Sequence, residues 1–315
     1  VPRWMCAENG QMLIDLEGYA ELATSLAHWA REKEHIEFTL FGPFNETDLG
    51  PPEGPLLAPA PLAEVSVRIA ERLAALGMGD VGLVLADEAH YGLYYMQELV
   101  RHRAVRDRLA VVGMHSYRDQ DLSGVPAFLR EHDLTSCRYW LTEYGDLDQT
   151  GELEWTVALN STRRLLRGLN DGVQGAMVWD AYDNWHDHDR AWSIYGLLRT
   201  AHGSYTPKKR YFAGKHISRY VPVTSVRVHT ACSDPSLAVA AFRTQSEEVT
   251  LVVLNESGTA RRLNVELDER FVGRTCRVYA SDPERNCDQT MMFPLAARVQ
   301  IPLTATSITT FTSVA

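Results

Sequence analysis

Two glutamates each stand where a short apolar run gives way to polar residues. Glu46 lies in Phe38-Thr-Leu-Phe-Gly-Pro-Phe-Asn-Glu46-Thr-Asp48, and Glu143 in Arg138-Tyr-Trp-Leu-Thr-Glu143-Tyr-Gly145. A carboxylate at the polar end of a strand adds little to packing, but strand ends that converge can bring two such groups to one point. Held about 5–5.5 Å apart, one ionised as a nucleophile and one protonated, a carboxyl pair cleaves glycosidic bonds with retention of configuration. Like-charge repulsion supplies the asymmetry, raising one pKa once the neighbour is ionised. The surroundings suit the same chemistry. Asn45 offers a neutral amide that both donates and accepts, and His115-Ser-Tyr117 and Trp179-Asp180 follow two further apolar runs. Asp180, Asp183, His186, Asp187, His188 and Asp189 crowd the segment after Trp179. Such a mixture can ligate a metal, but this reaction needs none and a substrate-facing rim suits it equally, so neither metal nor cofactor is expected.

The elements that must position these residues alternate along the first two-thirds of the chain. Amphipathic spacing predicts helices at 15–33, 61–76, 91–106, 122–132, 154–169 and 205–218. Between them lie apolar runs at 36–41, 81–86, 109–114, 139–142 and 175–179. Continuous rather than alternating hydrophobicity marks strands covered on both faces, as in a parallel sheet, and the repeat of strand and helix is that of a β/α barrel. In such a barrel the residues after each strand converge on one mouth. That mouth would collect Glu46, Asp87-Glu88, His115, Tyr117, Glu143, Trp179 and Asp180, with Trp4 near the chain start lining it. Gly77-Met-Gly79-Asp-Val-Gly82 matches a dinucleotide fingerprint literally, but it ends a helix and opens a strand, the reverse of the order that fingerprint requires. It is read as a helix-terminating turn.

From about residue 220 the pattern changes to short strands separated by turn-rich pieces such as Asn255-Glu-Ser-Gly258 and Ser281-Asp-Pro-Glu284, the grammar of an antiparallel sandwich. The expected organisation is a barrel domain over 1–215 and a β-sandwich over 216–315. Composition is that of an ordinary globular chain, with 45% hydrophobic and 23% charged residues. A net charge of −10 without a basic run argues against nucleic acid and anionic membrane surfaces, and no stretch approaches the roughly 20 apolar residues of a membrane span. Val1-Pro2-Arg3 leads directly into Trp4, so no leader is expected. The five cysteines form no CxxC pair, which favours a reduced, cytoplasmic setting over a secreted one. Sequons at Asn45, Asn160 and Asn255 are read as chance matches.

In order, the Asn45-Glu46 pair after one strand, His115-Ser-Tyr117 two strands later, Glu143-Tyr-Gly145, and an apolar strand ending in Trp179 resemble the clan A retaining glycoside hydrolases, family 30 and its neighbour family 39 above all. The stretch from Lys209 to Val228 is similar to the family 30 passage between the last barrel helix and a β-sandwich. The resemblance implies a (β/α)8 TIM barrel followed by an all-β sandwich. It also implies a retaining β-glycosidase with Glu46 as acid/base and Glu143 as nucleophile. Asn45 would contact the sugar 2-hydroxyl, Tyr117 would hold the nucleophile, and Trp179 would stack on the sugar. Trp4-Met5 and Asn9-Gly10 resemble the loop after the family's third barrel strand. Only strands four to eight of the barrel are therefore expected, an incomplete barrel to be completed by self-association into a homo-oligomer or by a complementing N-terminal fragment. The expected substrate is a carbohydrate, a β-galactoside or β-glucoside. The alternative is a non-catalytic carbohydrate-binding remnant.

Overall fold

In the computed structural model, residues 1–90, 93–147, 154–183, 195–201 and 203–314 are described. They form two compact units, Val1–Glu143 with Asp171–Met177, and Tyr144–Asn170 with Val178–Ala315.

The first unit is built on a five-stranded sheet in the order β1 (Leu40–Phe41), β2 (Gly82–Leu85), β3 (Leu109–Ser116), β4 (Arg138–Tyr144) and β5 (Gly175–Val178). Leu40 pairs with Gly82 and Leu83 with Leu109, both in parallel register. Spatial order equals chain order, so each strand lies beside its successor, as in a segment of a barrel wall. Helix α1 (Leu16–Glu32) precedes β1, and α2 (Pro59–Ala75), α3 (Leu93–Leu99), α4 (Arg103–Arg106) and α5 (Gly124–Glu131) connect the strands from β1 to β4. Asp15 caps α1 by accepting the Gly18 N–H at 2.9 Å, and Pro59 opens α2, where its missing N–H costs nothing. The buried face of α1 is Ala20, Ala23, Thr24 and Ala27, small residues that allow close approach of α2, whose Arg72 reaches the Thr24 hydroxyl at 3.3 Å.

β3 is the central strand, and seven of its eight residues are buried, which is why its sequence is uninterruptedly apolar up to His115. The edge strands depart from the expected double coverage. The run 36–41 yields only the two residues of β1, and Ile36 is 53% exposed, because a strand with one neighbour gains half the pairing and covering surface. At the other edge Met177 is 48% exposed. Gly77 follows α2 with φ of 74°, the left-handed conformation that ends a helix, so this glycine run is a turn.

The second unit holds α6 (Glu154–Asn170), a hairpin of β6 (Leu198–Ala201) and β7 (Ser204–Pro207), and α7 (Lys209–Ser218). The helix expected from 205 starts four residues later. Pro207 pushes Thr206 out of helical conformation, and Ser204–Pro207 pairs with Leu198–Ala201 instead. The sandwich follows as β8 (Val226–Val228), β9 (Leu237–Arg243), β10 (Val249–Asn255), β11 (Arg261–Glu266), β12 (Thr275–Ser281), β13 (Asn286–Pro294), β14 (Arg298–Leu303) and β15 (Ser307–Thr312). Six of these form one sheet in the order β13-β12-β15-β10-β9-β8, while β11 and β14 pair separately. All of β10 is buried. Leu251 and Val253 pack with Ile301, Leu303 and Phe311, while Val252 and Leu254 pack with Ala158 and Leu166 of α6 and Ala213 of α7.

β15 reads as polar, yet its hydroxyls are buried and satisfied. Thr312 bonds Thr250 at 2.7 Å, and Thr310 bonds Nδ1 of His216 at 2.7 Å. The other ring nitrogen of His216 meets Ser281 Oγ at 2.8 Å. No helix among the described residues is long and apolar enough to cross a membrane, and all five cysteines are free.

Burial pushes His216 down to about 3 from the usual 6.5, so the folded protein holds it neutral. The unfolded chain binds this proton from pH 6.5 downward and the folded one does not. Its contribution to stability is therefore complete above pH 6.5 and is lost as pH falls toward 3, at up to about 1.4 kcal/mol per pH unit. Urea denaturation of wild type and His216→Gln between pH 4 and 8 should show the variant destabilised at pH 8 and its stability flatter with pH.

Candidate active site

The ends of β1 to β4 supply the chemistry. After β1 the chain turns through Pro43 and Phe44, whose ring stacks on Tyr19 with centroids 5.2 Å apart, and reaches Asn45 and Glu46. Glu46 has φ of 44° and Ala86, at the end of β2, has φ of 64°. A side chain in left-handed backbone is held there only by its surroundings, and such residues gather at functional sites. Here the Glu46 N–H donates to the Asp87 carbonyl at 2.8 Å, and the Glu46 carbonyl accepts from Leu49 N–H at 3.0 Å. The same two loops are stitched by Glu88, which accepts the Thr47 hydroxyl at 2.9 Å and the Asp48 N–H at 3.1 Å. Burial pushes the Glu88 carboxyl up to about 8. Asp48 in turn accepts from Ala89 N–H and contacts His90 Nδ1 at 2.8 Å. Glu88 and His90 thus tie loop to loop.

His115, at the end of β3, is the hub. Its Nδ1 lies 2.7 Å from Glu46 Oε1 and 3.5 Å from Glu143 Oε2, and its Nε2 lies 3.4 Å from Asp87 Oδ1. The last is an ionic approach, not an aligned hydrogen bond. Gln120 Nε2 fixes the backbone by donating to the His115 carbonyl at 2.6 Å. Burial alone would lower the imidazole, but the nearby Asp87 carboxylate, the bond to Glu46 and the field of Glu143 outweigh it and push His115 up to about 10.

Tyr117, two residues on, donates its hydroxyl to Glu143 Oε2 at the end of β4. Burial raises the Glu143 carboxyl above the usual carboxylate range, while His115 and Tyr117 oppose that shift. One oxygen from each of Glu46 and Glu143 and a ring nitrogen of His115 all lie within 4.8 Å of one another.

Among the residues singled out from sequence, the structure therefore brings Glu46, Glu143, His115 and Tyr117 together. Asn45 is half-buried, donates to the Glu53 carbonyl at 3.2 Å, and lines a cavity of about 670 Å³ with Arg3, Asn9, Tyr19 and Phe44. Trp4 is 70% exposed in the turn Arg3–Met5, and no contact joins it to the four. Trp179 and Asp180 belong to the second unit, where Trp179 is 46% exposed and Asp180 has a buried Oδ1 without a hydrogen-bond partner. Of the acidic cluster, Asp183 is buried against Lys208 Nζ at 2.9 Å, a structural ion pair, and His186, Asp187, His188 and Asp189 lie outside the described residues. Thr142 had escaped the sequence reading. It lies inside an apolar run, and its hydroxyl donates to Asp87.

Residues 224–311 match the sequence profile of the glycosyl hydrolase family 30 beta sandwich domain. No match was found among curated protein sequences. The fold is similar to that of a family 30 endoxylanase from Clostridium papyrosolvens, with a TM-score of 0.78 and 17% identity over 96% of this chain and 73% of the other. It is also similar to a family 30 subfamily 8 xylanase from Clostridium acetobutylicum, with a TM-score of 0.79 and 14% identity over 98% and 74% of the two chains. A family 39 β-xylosidase from Caulobacter crescentus follows at a TM-score of 0.65 and 16% identity, over 99% and 77%. In the sequence of residues 224–311 and in fold, this chain is similar to the glycoside hydrolases of families 30 and 39, and most like family 30.

Proposed function

We propose that this protein is a retaining β-glycosidase acting by double displacement, with Glu143 as nucleophile and Glu46 as acid/base. The observation that carries the reading is that one oxygen of each carboxyl group, at the ends of β1 and β4, lies within 4.8 Å of the other. Retaining enzymes hold the pair about 5–5.5 Å apart, whereas inverting ones leave about 6.5–9.5 Å for a water. The neighbours support the division of roles. The Tyr117 hydroxyl bonds the ionised form of Glu143 and fixes one oxygen, leaving the other to attack. Glu46 instead shares a hydrogen bond with a ring nitrogen and so sits in a proton-exchanging pair.

In the first step a Glu143 oxygen bonds the anomeric carbon as the glycosidic C–O bond breaks, and the leaving oxygen takes a proton from Glu46. In the second, Glu46 removes a proton from water as that water's oxygen displaces Glu143 from the anomeric carbon. Each step restores what the other consumed, and no cofactor enters. The substrate is a β-linked glycoside, galactoside or glucoside by the sequence expectation, and the xylanase and β-xylosidase likenesses add xylosides to the panel worth testing.

Aryl β-glycosides of these three sugars should be turned over by wild type, and NMR should show the first-formed sugar with its β configuration. Glu143→Gln should abolish turnover. Glu46→Gln should lower it roughly 10²–10⁴-fold for substrates whose leaving group needs protonation, and far less for an activated aryl group. An inverted product would sink the mechanism. Sugar binding by wild type without turnover of any glycoside would instead support a carbohydrate-binding remnant. Tyr117→Phe removes a bond to the ionised nucleophile, so the acidic limb of its kcat/KM profile should move to higher pH. Its turnover should fall roughly 10- to 100-fold.

A further inference from the structure

We infer that Asp87 is a positioning residue that keeps the acid/base proton in the Glu46–His115 pair by holding the far side of the imidazole, and that Gly113 and Thr142 exist to place it. The inference rests on the glycosidase reading above and deepens it.

Asp87 reaches His115 from the end of β2, on the side of the ring opposite Glu46. It is not left to find that position by chance. The Thr142 hydroxyl, from β4, donates to the Oδ1 atom that faces His115 Nε2. The carboxylate therefore spans the space over β3, and Gly113 is the β3 residue beneath it. A Cβ at Gly113 would stand 2.6 Å from Asp87 Oδ1 and 3.0 Å from Thr142 Oγ1, closer than side-chain carbons approach. Three adjacent strands thus contribute one residue each to a single placement. The main chain of Asp87 joins in, since its carbonyl holds the Glu46 N–H at 2.8 Å.

The negative charge of a carboxylate 3.4 Å from Nε2 favours a proton on that nitrogen, while Nδ1 faces Glu46. The proton between Nδ1 and Oε1 is then the one delivered to the leaving oxygen and regained from water. The charged groups facing this ring are Glu46, Asp87 and Glu143, with the Tyr117 ring edge-on at 6.0 Å. Of these, Asp87 alone takes no part in bond making, so it can stabilise the proton without competing for it. The high imidazole pKa agrees with this placement.

The test is Asp87→Asn, which keeps shape and removes charge, read in two independent ways. The imidazole resonances of His115, assigned by their loss in His115→Gln, should titrate about 1–3 units lower in the variant. The alkaline limb of kcat/KM should move down with them, while a denaturation midpoint near wild type shows the fold intact. Gly113→Ala, which displaces the carboxylate without changing any charge, should shift both readouts the same way. Wild type that turns over glycosides while Asp87→Asn leaves the His115 titration unmoved overturns this inference alone. So does a shifted titration with a stationary alkaline limb. Wild type that turns over no glycoside defeats the glycosidase reading itself.

Discussion

His115 is fully buried beside three carboxyl groups, Glu46, Asp87 and Glu143, whose side chains are themselves mostly out of solvent. Removing a charge from water costs several kcal/mol, and neighbouring carboxylates would answer that cost by taking up protons. A cationic imidazole among them changes the balance. It lets oxygens of Glu46 and Glu143 stand within 4.8 Å of one another. Burial still raises the Glu143 carboxyl, with the charges of Glu46 and Asp87 adding to the shift, and His115 and Tyr117 partly offset it. The charge state of the site is thus a property of the group, with the imidazole at its centre.

The backbone beneath is made to fit that group. Left-handed conformations at Glu46 and Ala86 each cost of the order of 1–3 kcal/mol. They are held by the Glu46 N–H on the Asp87 carbonyl and by Glu88 under the Thr47-Asp48 turn. Glu88 can do this because burial keeps it neutral, with its pKa pushed up to about 8. It accepts from the Thr47 hydroxyl and the Asp48 N–H, both of the loop that carries Glu46, without adding a fourth negative charge nearby. Two adjacent glutamates, Glu46 by its loop and Glu88 by its bonds to that loop, therefore do different work because one faces the imidazole and the other faces backbone.

Much of this was legible in the sequence, and the physical reasons for success and failure are specific. β3 announced itself because a central strand must be apolar on both faces, and β10 did so for the same reason. β15 did not, since its buried threonines are satisfied by Thr250 and His216, partners that lie far away in sequence. β1 was overextended because hydrophobicity reports covering surface, and an edge strand has less of it. Glu46 and Glu143 stood out because carboxylates at the ends of apolar runs need an explanation. Gly113 and Thr142 did not, because a glycine or a threonine inside a strand looks like packing until the side chain above it is known.

The family likeness and the chemistry reside in different parts of the chain. The stretch that matches family 30 in sequence, 224–311, contains none of Glu46, His115, Tyr117 and Glu143. A sandwich core is constrained along its whole length by two packed faces, as β10 is between Ile301 and α6, so its sequence pattern is dense and recognisable. A strand-end site is constrained at a few atoms only, separated in the chain by as many residues as lie between Glu46 and Glu143. Identity near 17% can therefore coexist with a fold similar to that of known enzymes and with two carboxylate oxygens within 4.8 Å of each other. The two signals arise from different residues under different constraints. A chance match of the sandwich would give no reason for two glutamates, a tyrosine and a buried histidine to meet at the ends of β1, β3 and β4, and their agreement is the strongest argument that this site performs glycoside chemistry.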